Sequence, residues 1–274
     1  MKLFEGILLL IAGISLSGCS KKVIKVDLKT APVKLVIDAS IDWLKNTPGN
    51  EQSIKLSTTT GYYNDEFPTV SGATIFITNS TNTVFNFPES ANKGEYICNN
   101  FKPVIGETYK LTITLNGVTY AATETFIGTP DIDNNILQNT AGGMTGDEIE
   151  IQYSYLDNGS QDNYYVSRIS SNRVAYPQYF LENDENFQGK KMTQFYSHED
   201  LAVSDALNIR FYGTSRRFFD YFKKIVVASG NDDSPFPTTP TEVRGNIINQ
   251  TDAEKYVLGY FRLSEVVSRD YTIK

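Results

Sequence analysis

Histidine occurs once in the 274 residues, cysteine twice and methionine three times. This scarcity narrows the chemistry. A Ser-His-Asp or Cys-His arrangement would have to use His198, which lies in the polar stretch "FYSHEDL". A zinc site would need that one imidazole plus carboxylates alone, an unusual ligand set. No Gly-x-Ser-x-Gly elbow occurs after residue 18. His198 therefore reads as a loop histidine, and the residues name no catalytic group and no metal. Long apolar runs are missing too: the longest, from Gly6 to Leu16, is too short to cross a bilayer, which takes roughly 20 residues. Net charge is −7, with the acids spread along the chain, so the clustered basic footprint of a nucleic-acid surface is absent. No repeat of solenoid period and no low-complexity block occurs.

The short apolar run has the length of a secretory h-region, and the residues at its end are specific. Leu16-Ser17-Gly18-Cys19 has the pattern of a bacterial lipobox. Small residues at 17 and 18 fit a narrow peptidase cleft, and the Cys19 thiol would accept the lipid. Residues 1–18 are thus expected to be a signal peptide and 19–29 a lipidated tether. One fatty chain binds a membrane only marginally, at ~0.8 kcal/mol per buried methylene. The two or three chains (palmitate among them) on such a cysteine make attachment permanent. Lys21, Lys22 and Lys25 either attract anionic headgroups or form part of a solvated tether. With Cys19 acylated, Cys98 has no disulfide partner. In "GEYICNN" it alternates with Tyr96, as a buried core thiol would.

The 17 tyrosines and 16 phenylalanines favour strands. Period-two alternation runs through "KLVIDASID" (34–42), "QSIKLSTT" (52–59), "ATIFITN" (73–79) and "EYICN" (95–99). In "ETYKLTITLNGVTYAATETF", Tyr109, Leu111, Ile113 and Leu115 share one face, and Asn116-Gly117 supplies a type I′ turn to the next strand. "GTPDIDNN" and "NTAGGMTG" read as a linker. "DEIEIQYSYLDNGSQDNYYVSRI" then suggests two strands around an Asp-Asn-Gly turn. In "TSRRFFDYFKKIVVASG", Phe218, Phe222, Ile225 and Val226 follow helical spacing. Thr214 or Ser215 is placed to cap the start and Gly230 the end, with Arg217, Asp220, Lys223 and Lys224 facing outward. "EVRGNIIN" and "YVLGYFRLS" return to strand. The expectation is a mainly β protein: an N-terminal Ig-like antiparallel β-sandwich (30–127), a linker (128–145) and a second antiparallel β domain (146–274) carrying one amphipathic helix near 214–229.

Taken in order, the lipobox, "VSGATIFIT", the 107–126 hairpin, "TPDID", the aromatic helix, "PFPTTPTEVRGNIIN" and "VLGYF" resemble the Bacteroidota outer-membrane lipoprotein family catalogued as domain of unknown function 4249. The "PFPTTPTEVRGNI" and "LGYF" segments are the most specific part. The resemblance implies an outer-membrane lipoprotein, often encoded beside a TonB-dependent transporter, and no established catalytic residues. Surface-exported lipoproteins of such bacteria often carry acids after the acylated cysteine. Here Ser20-Lys21-Lys22 come next, so the surface and periplasmic faces both stay open.

Three further patterns match known sites only in part. Ser90-Ala91-Asn92-Lys93 has Ser-x-x-Lys spacing but precedes a turn and not a helix. Asp131-x-Asp133-x-Asn135 copies the start of a calcium loop, yet Ile136 stands where glycine is needed and Gly142 where a bidentate glutamate is needed. The acidic clusters "ENDEN" (182–186) and "NDD" (231–233) could bind cations weakly, although acidic loops of this kind are usually just solvated. The functional expectation is a lipid-anchored, non-enzymatic accessory or ligand-binding protein of the outer membrane, partnering a TonB-dependent transporter and needing no cofactor. An envelope hydrolase acting on glycan or peptide, and a structural or adhesive surface protein, are the alternatives.

Overall fold

The structure is a computed structural model that describes residues 31–61, 64, 66–229 and 242–274. The signal peptide, the lipobox, the whole 19–29 tether, "NDD" and the "PFPTTPT" run lie outside the described residues. In chain order the first strands are β1 (Leu35–Leu44), β2 (Gln52–Thr58), β3 (Thr74–Asn79), β4 (Val84–Phe87), β5 (Glu95–Cys98), β6 (Thr108–Leu115) and β7 (Val118–Thr125). Then come β8 (Leu137–Gly142), β9 (Glu148–Leu156), β10 (Tyr164–Ser171), β11 (Gln178–Asn183), β12 (Lys191–Ser197) and β13 (Ala206–Thr214). Helix α1 (Arg216–Ala228), β14 (Ile248–Asn249) and β15 (Leu258–Thr272) complete the described elements.

The β6–β7 hairpin forms as its sequence predicts. Leu115 pairs with Val118, and Asn116 and Gly117 adopt φ of 50° and 79° between them. Tyr109, Leu111 and Ile113 are buried on the inner face, and Cys98 is buried beside Tyr96.

The expected division into two sheet domains does not hold. Seven strands in the order β11-β10-β13-β15-β1-β2-β5 make one sheet, drawing on both halves of the chain. Its seam is a parallel pairing of β1 with β15, running from Val36 opposite Leu258 to Leu44 opposite Val266. β14 likewise joins β7 at the edge of the five-stranded sheet β14-β7-β6-β3-β4. Val33–Lys274 is accordingly one compact unit. The 128–145 segment is not a free linker. Ile127 bridges Ser264, Thr129 N donates to Glu265 Oε2 at 2.9 Å, and Lys45 Nζ donates to Thr129 O at 3.1 Å.

The shared sheet has different coverings along its length. Over β1, β2 and β5 it packs on the five-stranded sheet, enclosing Ile37, Ile41, Ile54, Phe87, Leu111 and Phe261 among others. Over β10 and β13 it packs on the three-stranded sheet β12-β9-β8, around Tyr153, Tyr155, Tyr165, Tyr196 and Phe211. Its other face carries α1, where Phe218 meets Val166, Tyr212, Tyr260 and Val266.

The Asp-Asn-Gly stretch corrects another expectation. β9 lies in the three-stranded sheet and β10 in the seven-stranded one, so residues 157–163 form a crossing between sheets and not a hairpin turn.

The glycines of the most specific sequence segments have a steric reason. A Cβ on Gly259 would lie 1.9 Å from Ile37 O, and one on Gly245 would lie 1.7 Å from Gly259 O. Three backbones stack there with no room for a side chain. Gly259 also holds φ of 96°, a region open to glycine at no steric cost. Next to it Asn246 acts as a strand partner for β15, accepting from Phe261 N and donating to Phe261 O, both at 2.8 Å.

Candidate functional site

Helix α1 is started by Ser215, whose extended backbone and Oγ, accepting from Phe218 N at 3.2 Å, make an N-cap. It ends at Ser229, whose N–H bonds to Ile225 O and Val226 O; Gly230, expected as the stop, lies outside the described residues. The buried pair on the helix is Phe218 and Phe219, while Phe222 is half-buried, which corrects the expected pair Phe218 and Phe222. The helix sits across β10, so Phe219 finds Tyr164 at 5.3 Å between ring centres, a neighbour the wheel alone does not reveal. Phe222 instead stacks on Phe218 and meets Tyr179 edge-on.

Between the first turns of α1 and the ends of β10 and β11 lies a cleft of about 250 Å³. Tyr164 and Phe219 form its apolar wall, Asp162, Glu185 and Asp220 bring negative charge, and Arg216 and Lys223 bring positive charge. Arg216 Nε stands 3.9 Å from Asp220, and Asp162 accepts from Gln188 Nε2 at 2.7 Å. Ligand pockets for drug-sized molecules run from about 300 Å³ upward. At about 250 Å³ this cleft falls below that range, and Asp184 also lines it.

Beneath α1 the sheet carries buried charge. Arg262 pairs with Asp42 at 2.7 Å and lies over the rings of Tyr212 and Phe218 at 4.9 and 5.1 Å. Glu124 accepts from Tyr260 Oη at 3.1 Å and from Asn246 Nδ2 at 3.4 Å. Burial pushes its carboxyl above the usual range, and hydrogen bonds from Thr125 N and Tyr260 pull it partly back. Glu182 is raised for the same reason, against a hydrogen bond from Tyr155 Oη at 2.6 Å. Of these groups only Glu182 is singled out by the sequence, as the first residue of "ENDEN". The signal available was polarity inside an apolar run: Arg262 and Glu265 interrupt "LGYFRLSEVV" at buried positions.

The residues that the sequence raised are scattered. His198 Nδ1 accepts from Asp200 N at 3.2 Å, a contact inside its own turn. Cys98 Sγ lies 3.1 Å from Asn100 Oδ1, and burial pushes its thiol up, away from the reactive thiolate. Ser90 Oγ accepts from Asn92 N at 3.0 Å and closes a local turn, while Lys93 is exposed. Asp131 and Asp133 are each held by a lysine, Lys45 at 3.1 Å and Lys191 at 2.6 Å, so the calcium-like spacing serves ion pairs. "ENDEN" is no solvated loop: Glu182 turns toward Tyr155, Asp184 is buried, and Glu185 borders the cleft. Leu16, Ser17, Gly18 and Cys19, with Lys21, Lys22 and Lys25, lie outside the described residues.

Among the described residues, two β-sheets packed side by side on one face of a shared third, with a helix on its other face, define a mainly β sandwich protein. The chain belongs to the family described as domain of unknown function DUF4249, whose model matches residues 21–270. No curated protein matches it in sequence. Among solved structures it is similar to a two-domain fibronectin type III segment of chicken tenascin, at 10% identity and TM-score 0.23, over 60% of this chain and 85% of that one. A DUF4785 family protein from Legionella pneumophila subsp. pneumophila str. Philadelphia 1 matches at 6% identity and TM-score 0.26, over 66% and 52%. The chicken interferon gamma receptor alpha chain matches at 6% and 0.21, over 67% and 90%. Similarity at this level carries no functional argument.

Proposed function

We propose that the protein is a lipid-anchored accessory or binding protein of the bacterial outer membrane, attached through Cys19 and working beside a TonB-dependent transporter. The observation that carries this reading is the sequence Leu16-Ser17-Gly18-Cys19 at the end of an apolar run of h-region length. The folded unit that begins at Val33 supports it, because only a short stretch separates Cys19 from the first strand at Leu35. Even fully extended, that stretch reaches about 55 Å, so the β unit works close to the membrane surface. The cleft beside α1 is the surface offered to a small ligand, and the loops around it are the surface offered to a partner.

Replacing Cys19 by Ser tests the anchor. The variant is expected to leave the membrane fraction and lose its acyl chains. Retention after a high-salt wash would overturn the anchor. Affinity purification of the wild type from gently solubilised outer membrane tests the partner, with co-purification of a TonB-dependent transporter expected. Recovery of the protein alone would overturn the accessory role while leaving the anchor standing.

A further inference from the structure

The face of the seven-stranded sheet that carries α1 is laid out in rows across β11, β10, β13 and β15. Residues paired across neighbouring strands send their side chains to the same face, and each face recurs at every second residue. Leu181, Val166, Tyr212 and Val266 make one row, and α1 covers it. In the next row Tyr179 pairs with Arg168, Arg168 with Arg210, and Arg210 with Ser268. Tyr179 meets Phe222 edge-on, as a row on the helix side should. A third row follows with Ser170, Asn208 and Asp270.

The second row sets two arginines directly opposite each other. Cross-strand partners stand about 5 Å apart at Cβ, and like charges so placed are destabilising. Among the described residues neither guanidinium takes part in a salt bridge. The acid of the third row, Asp270, accepts from Asn208 Nδ2 at 2.7 Å. Arg210 has the Tyr212 hydroxyl beside it, a neutral acceptor that leaves its charge unmatched. On the same face the buried Arg262 has Asp42 at 2.7 Å. The sheet thus meets its buried guanidinium with an acid and leaves the half-buried Arg168 and the exposed Arg210 without one.

The row is rich in donors. Each guanidinium carries a planar fork of N–H groups. Ser268 Oγ already accepts from Asn208 Nδ2 at 3.0 Å, so its own hydrogen is free to be given. Tyr179, 39% exposed, adds a second hydroxyl. Donors gathered in this way complement an oxyanion that accepts on several sides. A carboxylate is planar and meets one fork. A phosphate ester is tetrahedral, carries three terminal oxygens and a charge near −2, and meets both.

We propose that Arg168 and Arg210, flanked by Tyr179 and Ser268, bind the phosphate group of a soluble phosphate monoester. The site is separate from the cleft, whose wall residue Tyr164 lies two rows away on β10, and it does not depend on the anchor at Cys19. A lipid headgroup offers the same chemistry, but a chain of net charge −7 is repelled by an anionic bilayer, which favours the soluble source.

Thermal melting of the full-length protein in detergent tests the site, with inorganic phosphate at about 20 mM compared with sodium acetate at matched ionic strength. For a Kd of about 1 mM, phosphate is expected to raise the wild-type midpoint by about 3–6 °C, and acetate by less than a third of that. Arg168→Gln is expected to weaken phosphate at least about tenfold and to cancel most of the rise. In acetate it should melt no lower than the wild type, because the opposed charge is gone. Lys110→Gln, on β6 in the five-stranded sheet, should keep the full rise. Absence of a rise in the wild type, an equal rise with acetate, or a full rise in Arg168→Gln would each overturn the assignment. Should Arg168→Gln fail to fold, Arg210→Gln at the exposed partner is read in the same way. Sedimentation of the Cys19→Ser protein with phosphatidylcholine vesicles containing phosphatidic acid tests the source. The protein is expected to stay in the supernatant, and pelleting that inorganic phosphate reverses would overturn the soluble source in favour of a lipid headgroup.

Discussion

Between β2 and β6 the core is filled by Ile54, Leu56, Ile75, Ile77, Leu111 and Ile113, whereas between β9 and β13 Tyr153, Tyr155, Tyr165 and Tyr196 take much of the space. The first core also holds two buried tyrosines, whose hydroxyls find main chain, Tyr96 donating to Val70 O at 3.2 Å and Tyr109 to Lys102 O at 2.7 Å, and Tyr109 also reaches the Glu107 carboxylate at 3.1 Å. In the second core the acceptors are carboxylates, Glu182 for Tyr155 and Asp157 for Tyr165. Burial raises both tyrosine hydroxyls, and it raises the Glu182 carboxyl as well. A hydroxyl held by carbonyl oxygens is indifferent to pH, while one held by a carboxyl that burial has raised, as Glu182 is, is not. The second core is therefore coupled to pH through Glu182, although the two cores share one sheet.

The largest expected effect comes from breaking that seam. Gly259→Ala places a methyl group against Ile37 O at a φ that alanine tolerates poorly, and it should cost about 4–6 kcal/mol. The single tryptophan, Trp43, lies 6.1 Å from Phe126 and reports on the first core; near-UV dichroism of the tyrosines weights the second. Both signals should be lost together in the variant and in the wild type. Separate transitions would show that the halves fold independently despite the shared sheet.

Next in size is the covering of the other face. Phe218→Ala removes a buried ring from against Tyr260 and Arg262, and should cost about 3–4 kcal/mol in denaturant unfolding. Phe222→Ala, at a half-buried ring, should cost about 1–2 kcal/mol. Equal costs would mean that the helix sits at a different rotation on the sheet.

The smallest effect separates the two cores by pH. The Glu182 carboxyl is raised in the folded state above its ordinary value of 4.5, so between those two values the folded protein holds more protons than the unfolded chain. Its contribution is complete below the unfolded value and is lost as pH rises through the folded one. Glu182→Gln should remove that slope. Thermal midpoints measured from acid to neutral pH should show the wild type falling relative to the variant. A parallel course for the two proteins would exclude Glu182 as the source.

Local chemistry was legible. The Asn-Gly turn, the alternation around Cys98, and the cap and spacing of α1 each concern residues close together in sequence, where backbone preference decides. What stayed hidden depends on distant partners. Nothing near Val36 announces Leu258, because a parallel pair has no turn to mark it. The Asp-Asn-Gly stretch has the composition of a hairpin turn, yet it is used to change sheets. Phe219 reads as a residue beside the helical stripe until Tyr164 is placed beneath it. The acids of "ENDEN" (182–186) read as solvated because burial of a carboxylate leaves no trace in a hydrophobic pattern.

The β1–β15 pairing also sets the order in which the molecule can be completed. Val36 emerges from the ribosome long before Leu258, so β1 has only β2 beside it until β15 has been made. Contacts this distant in sequence close late and slowly. A chain cut short before Leu258 would leave β1 with an open edge bearing unpaired amides and carbonyls, which invites pairing with another molecule. Such a fragment would be recognised by chaperones and proteases as unfinished. Making β15 is thus what closes the exposed edge of β1.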